Sequence, residues 1–371
     1  MLNIFIYKFI LFFSKVFIFI INNYLILFSK YYQIKKVKLY IKECLENNIY
    51  IRYKNNIRIP KISVVIPVFN CENSIKLSVN SIQNQKFEDI EIILVNDFSK
   101  DHSKSIIDNL QKADSRIIII NNNKNMGTLY SRNVGVLYAK GKYIFSLDND
   151  DMFINDKIFS KMYEVAEKYN YDIIGFNSIY SNNYNAEINK MFFDPFITNK
   201  NDRIIYQPNL KFLSLTNNDV HIWGKCIKTE IYKNAISLMG SKRSKTYLCN
   251  AEDDVIIYMI FNVAKTFRYI PILGIFHLIS STTASKTLSK DHLIFSKIFY
   301  LDLVFDFTKE SITEKKYVID IATIMKEYSV KKNLPFNKEN KKYLKRVLKK
   351  IFNCTHISIE DKNYLHNIFY F

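Results

Sequence analysis

The chain has 371 residues, 48% of them hydrophobic and 15% aromatic, which excludes a disordered protein and leaves room for one large α/β domain with appendages or for two domains. Its 7 glycines and 6 prolines argue against repeats, low-complexity linkers and a turn-dense sandwich. The net charge is +18 and gathers at the ends: residues 1–60 hold ten Lys/Arg against Glu43 and Glu46, and 338–350 hold seven against Glu339. Such ends suit anionic lipid or nucleic acid. The five cysteines (Cys44, Cys71, Cys226, Cys249, Cys354) lack any CxxC spacing, which suits a reducing compartment and gives no zinc signal.

Residues 2–28 are almost wholly apolar, and polar residues recur every seventh place: Lys8, Lys15, Asn22, Ser29, Lys36, Glu43. On a helix this spacing gives one narrow polar stripe. Two lysines within a span are costly, so a helix lying in the membrane interface is expected, with a single-helix anchor as the alternative. Residues 30–58 read as a basic helical stalk. The pattern then changes. Short apolar runs at 62–66, 90–95, 116–120 and 143–147 read as buried parallel strands. Helical stretches at 74–85, 101–112 and 128–139 separate them, with Asp101 as cap of the second and Gly141 as stop after the third. Alternating strands and helices predict a doubly wound, mostly parallel sheet, with ligands beyond the carboxyl ends of its strands. Further on, 155–169 reads as a helix and 171–176 as a strand. Residues 181–218 read as long loops, 251–264 as a helix, and 267–276 as a strand with Pro271 near its middle. The pattern is helical again from Asp291. In 338–350 the basic residues fill one half of a helical wheel, as on a solvated surface helix or one docked on anionic lipid.

The most telling stretch is Asp148-Asn149-Asp150-Asp151, which follows the apolar run 143–147. Such a run ending in three carboxylates delivers negative charge to a sheet edge, where a hard divalent cation relieves the repulsion. Taken alone, it more readily describes a solvated turn, since acidic turns after strands are common. Asp97 falls at the end of the second strand, 90–95, so the expected fold brings Asp97, Asp148 and Asp150 together. Glu252-Asp253-Asp254 open a later helix, where acids also serve the helix dipole.

Five motifs, in order, resemble glycosyltransferase family 2 of the GT-A type: Ser63-Val64-Val65-Ile66-Pro67-Val68-Phe69-Asn70; Val95-Asn96-Asp97-Phe98-Ser99-Lys100-Asp101; Asn125-Met126-Gly127; Ser131-Arg132-Asn133-Val134-Gly135; and Gly141-Lys142-Tyr143-Ile144-Phe145-Ser146-Leu147-Asp148-Asn149-Asp150-Asp151. Ile222-Trp223-Gly224-Lys225 and Ala251-Glu252-Asp253-Asp254 resemble later family motifs. The resemblance implies a GT-A domain over 59–285, with a nucleotide-binding half (59–155) and an acceptor half (156–285). A membrane-associating segment (1–58) would precede it and a helical basic extension (286–371) would follow. It implies that Pro67, Phe69, Asn70 and Glu72 cradle the base, Asp97 reads the uracil ring, and Arg132 helps hold the nucleotide. Asp148 would face the ribose and Asp150 would ligate Mn²⁺ or Mg²⁺, with His277 as a further ligand or a hydrogen-bonded core residue. Asp253 falls where relatives carry the catalytic base, with Glu252 and Asp254 as competitors. Trp223 is a candidate for stacking on a sugar or for the core. Asn96, Phe98 and Asn149 depart from the family pattern, Phe98 standing where glycine is common.

Together these imply a metal-dependent, inverting enzyme on the cytoplasmic face of a bacterial inner membrane. It would move sugar from a nucleotide donor, UDP-linked on this reading, to a glycan or lipid-linked acceptor of capsule or lipopolysaccharide. A sugar-nucleotide-forming nucleotidyltransferase would need a Gly-rich, basic loop after the first strand, which Pro67-Val68-Phe69-Asn70 lacks. A nucleic-acid binder would place its basic residues in a groove or on a sheet face, whereas here they sit on apolar helices at the chain ends.

Overall fold

The computed structural model describes residues 59–181, 192–193, 203–206, 221–249, 251–278, 290–307 and 338–353, with a few single positions elsewhere. The helix expected over 2–28 lies outside the described residues, as does the stalk over 30–58 apart from Lys35. Among the described residues no helix is long and apolar enough to cross a membrane.

Strands β1 (Ile62–Val68), β2 (Ile90–Asn96), β3 (Ile117–Asn121) and β4 (Tyr143–Ser146) alternate with helices α1 (Ile75–Gln83), α2 (Ser103–Ala113) and α3 (Thr128–Tyr138). They pair in parallel in the order β3-β2-β1-β4. β1, β2 and β4 are buried along their whole length, which is why they read as continuous apolar runs. The chain steps outward from β1 to β3 and returns to the other side of β1 for β4. That reversal opens a crevice at the carboxyl ends of β1 and β4.

The second half is β5 (Met152–Phe153), α4 (Ile158–Tyr169), β6 (Ile173–Ser181), β7 (Phe192–Phe193), β8 (Arg203–Tyr206), β9 (Lys225–Lys228), α5 (Thr229–Met239), α6 (Glu252–Val263) and β10 (Thr266–Leu278). Here the sheet is mixed. β9 runs antiparallel between β4 and β6, β10 is parallel to β6, and β5 and β8 pair antiparallel with β10. The expectation of a mostly parallel sheet therefore holds for β1–β4 and is modified beyond them. β9 escapes a reading of apolar runs because lysines bound it. Both are buried: Lys228 Nζ donates to Asp172 Oδ1 at 2.8 Å and Lys225 Nζ to the His221 carbonyl. Pro271 falls where the β10–β6 register shifts, so its missing N–H costs no ladder bond. Residues 181–218, expected as loops, contain β7 and β8.

The sheet has a helical layer on each face. Val64 and Ile66 face α1, α2 and α4, whereas Val65 and Val95 face α3, α5 and α6. Helices α7 (Lys290–Phe307) and α8 (Lys338–Phe352) join the second layer. There Leu344, Val347, Leu348 and Ile351 are buried with α6. The apolar half of α8 is thus spent within the protein.

Two sequence signals act differently from expectation. Helix α2 starts at Ser103, and Asp101 accepts the Ser103 N–H at 3.0 Å. Helix α3 ends at Tyr138, before Gly141. A Cβ on Gly141 would lie 2.6 Å from the β1 backbone, so this glycine allows close approach to a strand. Buried Glu91 secures that contact by accepting from Ser63 Oγ at 2.6 Å and from the N–H groups of Lys140 and Gly141 at 2.6 and 3.1 Å. Glu91→Ala strands these donors and should cost about 2–3 kcal/mol, checked by denaturant unfolding. A change under about 0.5 kcal/mol would show the contact to be dispensable.

Candidate active site

The loops after β1 and β2 are stitched together. Asn70 accepts the Lys100 N–H at 2.8 Å through its side chain and donates its own N–H to Ser99 Oγ at 3.2 Å. Glu72 accepts the His102 N–H at 2.8 Å, and Asp101 accepts the Glu72 N–H at 3.1 Å. Asn149 donates to the Pro67 carbonyl at 3.0 Å. The Asn149 carbonyl accepts from Ser78 Oγ at 2.9 Å. Pro67, Asn70 and Glu72 thus form one wall, and Phe69 stands 42% exposed beside it.

Three non-glycine residues around the crevice hold left-handed backbone: Asn70 at φ 46°, Phe98 at φ 64° and Ala251 at φ 55°. Asn tolerates this conformation, but for a bulky phenylalanine it is a strained state. The Phe98 ring is 40% exposed, with Lys100 Nζ 3.5 Å from its centroid.

Asp97 is buried, and its carboxylate accepts from Asn122 Nδ2 and from the N–H groups of Met126 and Gly127, each at 2.8 Å. It therefore organises the loop that leads into α3. Gly127, at φ 85°, has no room for a Cβ, which would lie 2.7 Å from the Leu248 carbonyl oxygen.

Arg132, on α3, is fully buried and faces three carboxylates: a hydrogen bond to Asp148 Oδ1, then Asp253 Oδ1 at 3.7 Å and Glu252 Oε1 at 3.8 Å. Burial works against its charge, yet these acids raise its pKa further above its ordinary value. Its Nε and Nη1 have no hydrogen-bond partner among the described residues. The guanidinium links the end of β4 to the start of α6.

The acids opening α6 divide in two. Asp254 pairs with Lys297 of α7 at 2.9 Å, whereas Glu252 and Asp253 face Arg132. Burial and then the neighbouring Asp253 push Glu252 up to about 8. Burial, opposed by Arg132 and reinforced by Asp148, pushes Asp253 up to about 6. Both carboxyls are thus held above the ordinary carboxylate range, as suits a base that works near neutrality.

On the other side, Asp148, Asp151 and His277 come together, their candidate ligand atoms within 4.8 Å of one another. Asp151 is fully buried; its Oδ2 lies 2.8 Å from His277 Nδ1 and its Oδ1 accepts the Leu278 N–H at 3.1 Å. Although burial opposes its charged form, Asp151 pushes His277 up to about 9. Asp150 lies outside that trio, and burial together with Asp151 and Asp148 pushes its carboxyl up to about 7. Five acids (Asp148, Asp150, Asp151, Glu252 and Asp253) thus share the crevice with two cationic side chains, Arg132 and His277. This crowding of carboxyl groups and the mixed carboxylate–imidazole donor set fit a divalent cation, Mn²⁺ better than Mg²⁺.

Trp223 is buried and stacks with His221 (4.4 Å, 14°) and with His277 (5.2 Å, 17°), with Tyr180 edge-on to it. Buried and engaged in this way, the side chain backs His277 and is closed to stacking on a sugar. The register of β10 against β5, with Phe276 opposite Met152, brings His277 to Asp151. The sequence shows Asp151 only as part of the acidic run, because its meeting with His277 and the histidine–tryptophan stack depend on a strand register that no local pattern carries.

Residues 63–224 match the model of glycosyl transferase family 2. A 111-residue segment is 39% identical to GalNAc(5)-diNAcBac-PP-undecaprenol beta-1,3-glucosyltransferase of Campylobacter jejuni, covering 30% of this chain and 36% of that protein. A 102-residue segment is 38% identical to UDP-Glc:alpha-D-GlcNAc-diphosphoundecaprenol beta-1,3-glucosyltransferase of Escherichia coli, covering 28% of this chain and 40% of that one. The chain thus spans less than half the length of these curated relatives. The structure of S. aureus TarS 1–349 in complex with UDP-GlcNAc superposes with a TM-score of 0.60 at 15% identity, over 83% of this chain and 88% of that one. This likeness shows the shared fold. The sequence match to glycosyl transferase family 2 is thus to the domain at 63–224, less than half of the chain.

Proposed function

We propose that the protein is a metal-dependent, inverting glycosyltransferase that moves a sugar from a nucleotide donor, UDP-linked, to a lipid-linked glycan acceptor of bacterial surface-polysaccharide synthesis. The observation that carries this reading is the convergence, at the carboxyl edge of one sheet, of a cation-seeking acid–histidine group and a buried acid pair near neutrality. Arg132 joins the two. The named relatives that act on diphosphoundecaprenol-linked acceptors and a similar fold that holds UDP-GlcNAc support the choice of donor and acceptor class.

In this reading Pro67, Phe69, Asn70 and Glu72 line the base site, and Asp97 holds the loop that closes it. Asp148, Asp150 and His277 hold the cation. Both oxygens of Asp151 are engaged by His277 and Leu278, so Asp151 orients the imidazole, leaving Nε2 as the ligating nitrogen. When bound, the cation supplies charge stabilisation for the departing diphosphate. Asp253 takes the proton of the acceptor hydroxyl, and Glu252 and Arg132 set its protonation. Asp254 is committed to Lys297, which leaves Asp253 and Glu252 as the contenders.

Asp150→Asn should lower Mn²⁺ affinity and Mn²⁺-dependent UDP release more than about 100-fold, and Asp151→Asn, acting through His277, about 10–100-fold. Titration calorimetry with Mn²⁺ and UDP measures both, and unchanged metal dependence in Asp150→Asn removes it as a ligand. Asp253→Asn should keep donor binding and lose transfer by about 10²–10⁴-fold; surviving turnover moves the base to Glu252. The base must be deprotonated, so kcat/KM should fall as pH drops through about 6, where Asp253 takes up its proton. A flat profile from pH 5 to 7 would be incompatible with this assignment.

A further inference from the structure

Helix α8 is amphipathic, and among the described residues the fold packs against only one of its faces. Leu344, Val347, Leu348 and Ile351 are 8% exposed or less, packed with α6 and α7. Lys350 reaches inward to Asp302 and Asp306 of α7, which also receive Arg243. Asp302 and Asp306 are thereby committed. The other face presents Lys338, Lys342, Lys345, Arg346 and Lys349 to solvent. None of these five meets a carboxylate among the described residues, and Arg346 lies over the Tyr343 ring at 4.3 Å. Arg243 lies in the α5–α6 connection, whose exposed Lys242 and Lys245 carry the basic surface past the C-terminal end of α8.

This surface has a defined relation to the site. Helix α7 runs alongside α6, with Lys297 at Asp254 and Tyr300 at Tyr258. Helix α8 runs alongside α7 in the same sense, with Tyr343 at Phe295 and Asp302, and Lys350 at Asp302 and Asp306. The Lys338 end of the stripe therefore lies toward the end of α6 that carries Glu252 and Asp253.

We propose that the solvent face of α8, extended by Lys242 and Lys245, docks on the anionic headgroups of a membrane and holds the crevice at the level of a lipid-linked acceptor. The inference rests on the acceptor class given under Proposed function. The attachment is electrostatic and does not insert, because the apolar face that would enter the bilayer is already buried in the protein. From Lys338 to Lys349 the stripe is about 16 Å long at the rise of a helix. The Debye length at physiological salt is about 8 Å, so only a flat, densely charged surface engages the whole stripe at once. Single-stranded nucleic acid fits less well: the cations run along one helix with no exposed aromatic ring on it for base stacking.

The test is sedimentation of the full chain with vesicles of phosphatidylcholine, with and without phosphatidylglycerol, in the absence of acceptor. The wild type should bind the anionic vesicles more tightly than the neutral ones and be released as salt rises. Lys342→Gln/Lys345→Gln/Lys349→Gln should weaken that binding about 100-fold, at roughly fivefold per charge, and the corresponding Lys→Arg triple should retain it. UDP-sugar hydrolysis in solution should be unchanged in both variants, which shows that they fold. Equal binding of the Gln variant and the wild type to anionic vesicles, or tighter binding to a single-stranded RNA than to vesicles, would overturn the proposal. Failure of hydrolysis in every form, with charge-dependent vesicle binding retained, would instead count against the catalytic reading and leave the docking surface standing.

Discussion

A single buried guanidinium holds the crevice together. Arg132 has no access to water, so its charge must be balanced by protein groups. It draws Asp148 from the end of β4 toward Glu252 and Asp253 at the start of α6. Those elements are about a hundred residues apart in sequence and belong to the two halves of the sheet. Replacing the arginine would leave three acids facing one another in a desolvated space. The polar geometry of the site and the docking of the halves are thus one constraint.

Around that ion cluster the loops are held under strain. Asn70, Phe98 and Ala251 adopt left-handed backbone at the ends of β1 and β2 and immediately before α6. Such conformations persist only where surrounding bonds over-determine them. The cross-links between Asn70, Ser99 and Lys100 and the three bonds to Asp97 provide that determination for the first two. The rim of the crevice is consequently pre-shaped before any ligand arrives. Phe98, where the family pattern commonly has glycine, keeps the turn and adds an exposed aromatic ring beside Lys100.

The C-terminal helices extend the same logic outward. Asp302 and Asp306 gather Arg243, Tyr343 and Lys350, fastening α8 to α7 and to the connection that precedes α6. A helix whose sequence alone suits either a solvated surface or a membrane is thereby fixed with its apolar half inside and its cations outside.

Much of this was legible in the chain. Strands β1, β2 and β4 are buried along their length, so they appear as runs rich in Ile, Val, Leu and Phe, and together with the exposed-edged β3 their alternation with helices sets the first half of the sheet. The acids at strand ends were legible too, since strand ends in such a sheet share one edge. What escaped was set by partners distant in sequence. β9 is hidden by lysines that become buried only because Asp172 and the His221 carbonyl receive them. Asp151 and His277 meet through a strand register that no local pattern encodes. Asp254 parts from Glu252 and Asp253 because Lys297 comes from another helix. The sequence by itself determined which groups carry charge and which strand ends they follow. Only the tertiary structure decided which charges face one another, because a buried charge takes its partner, and with it its protonation, from whatever the fold packs against it.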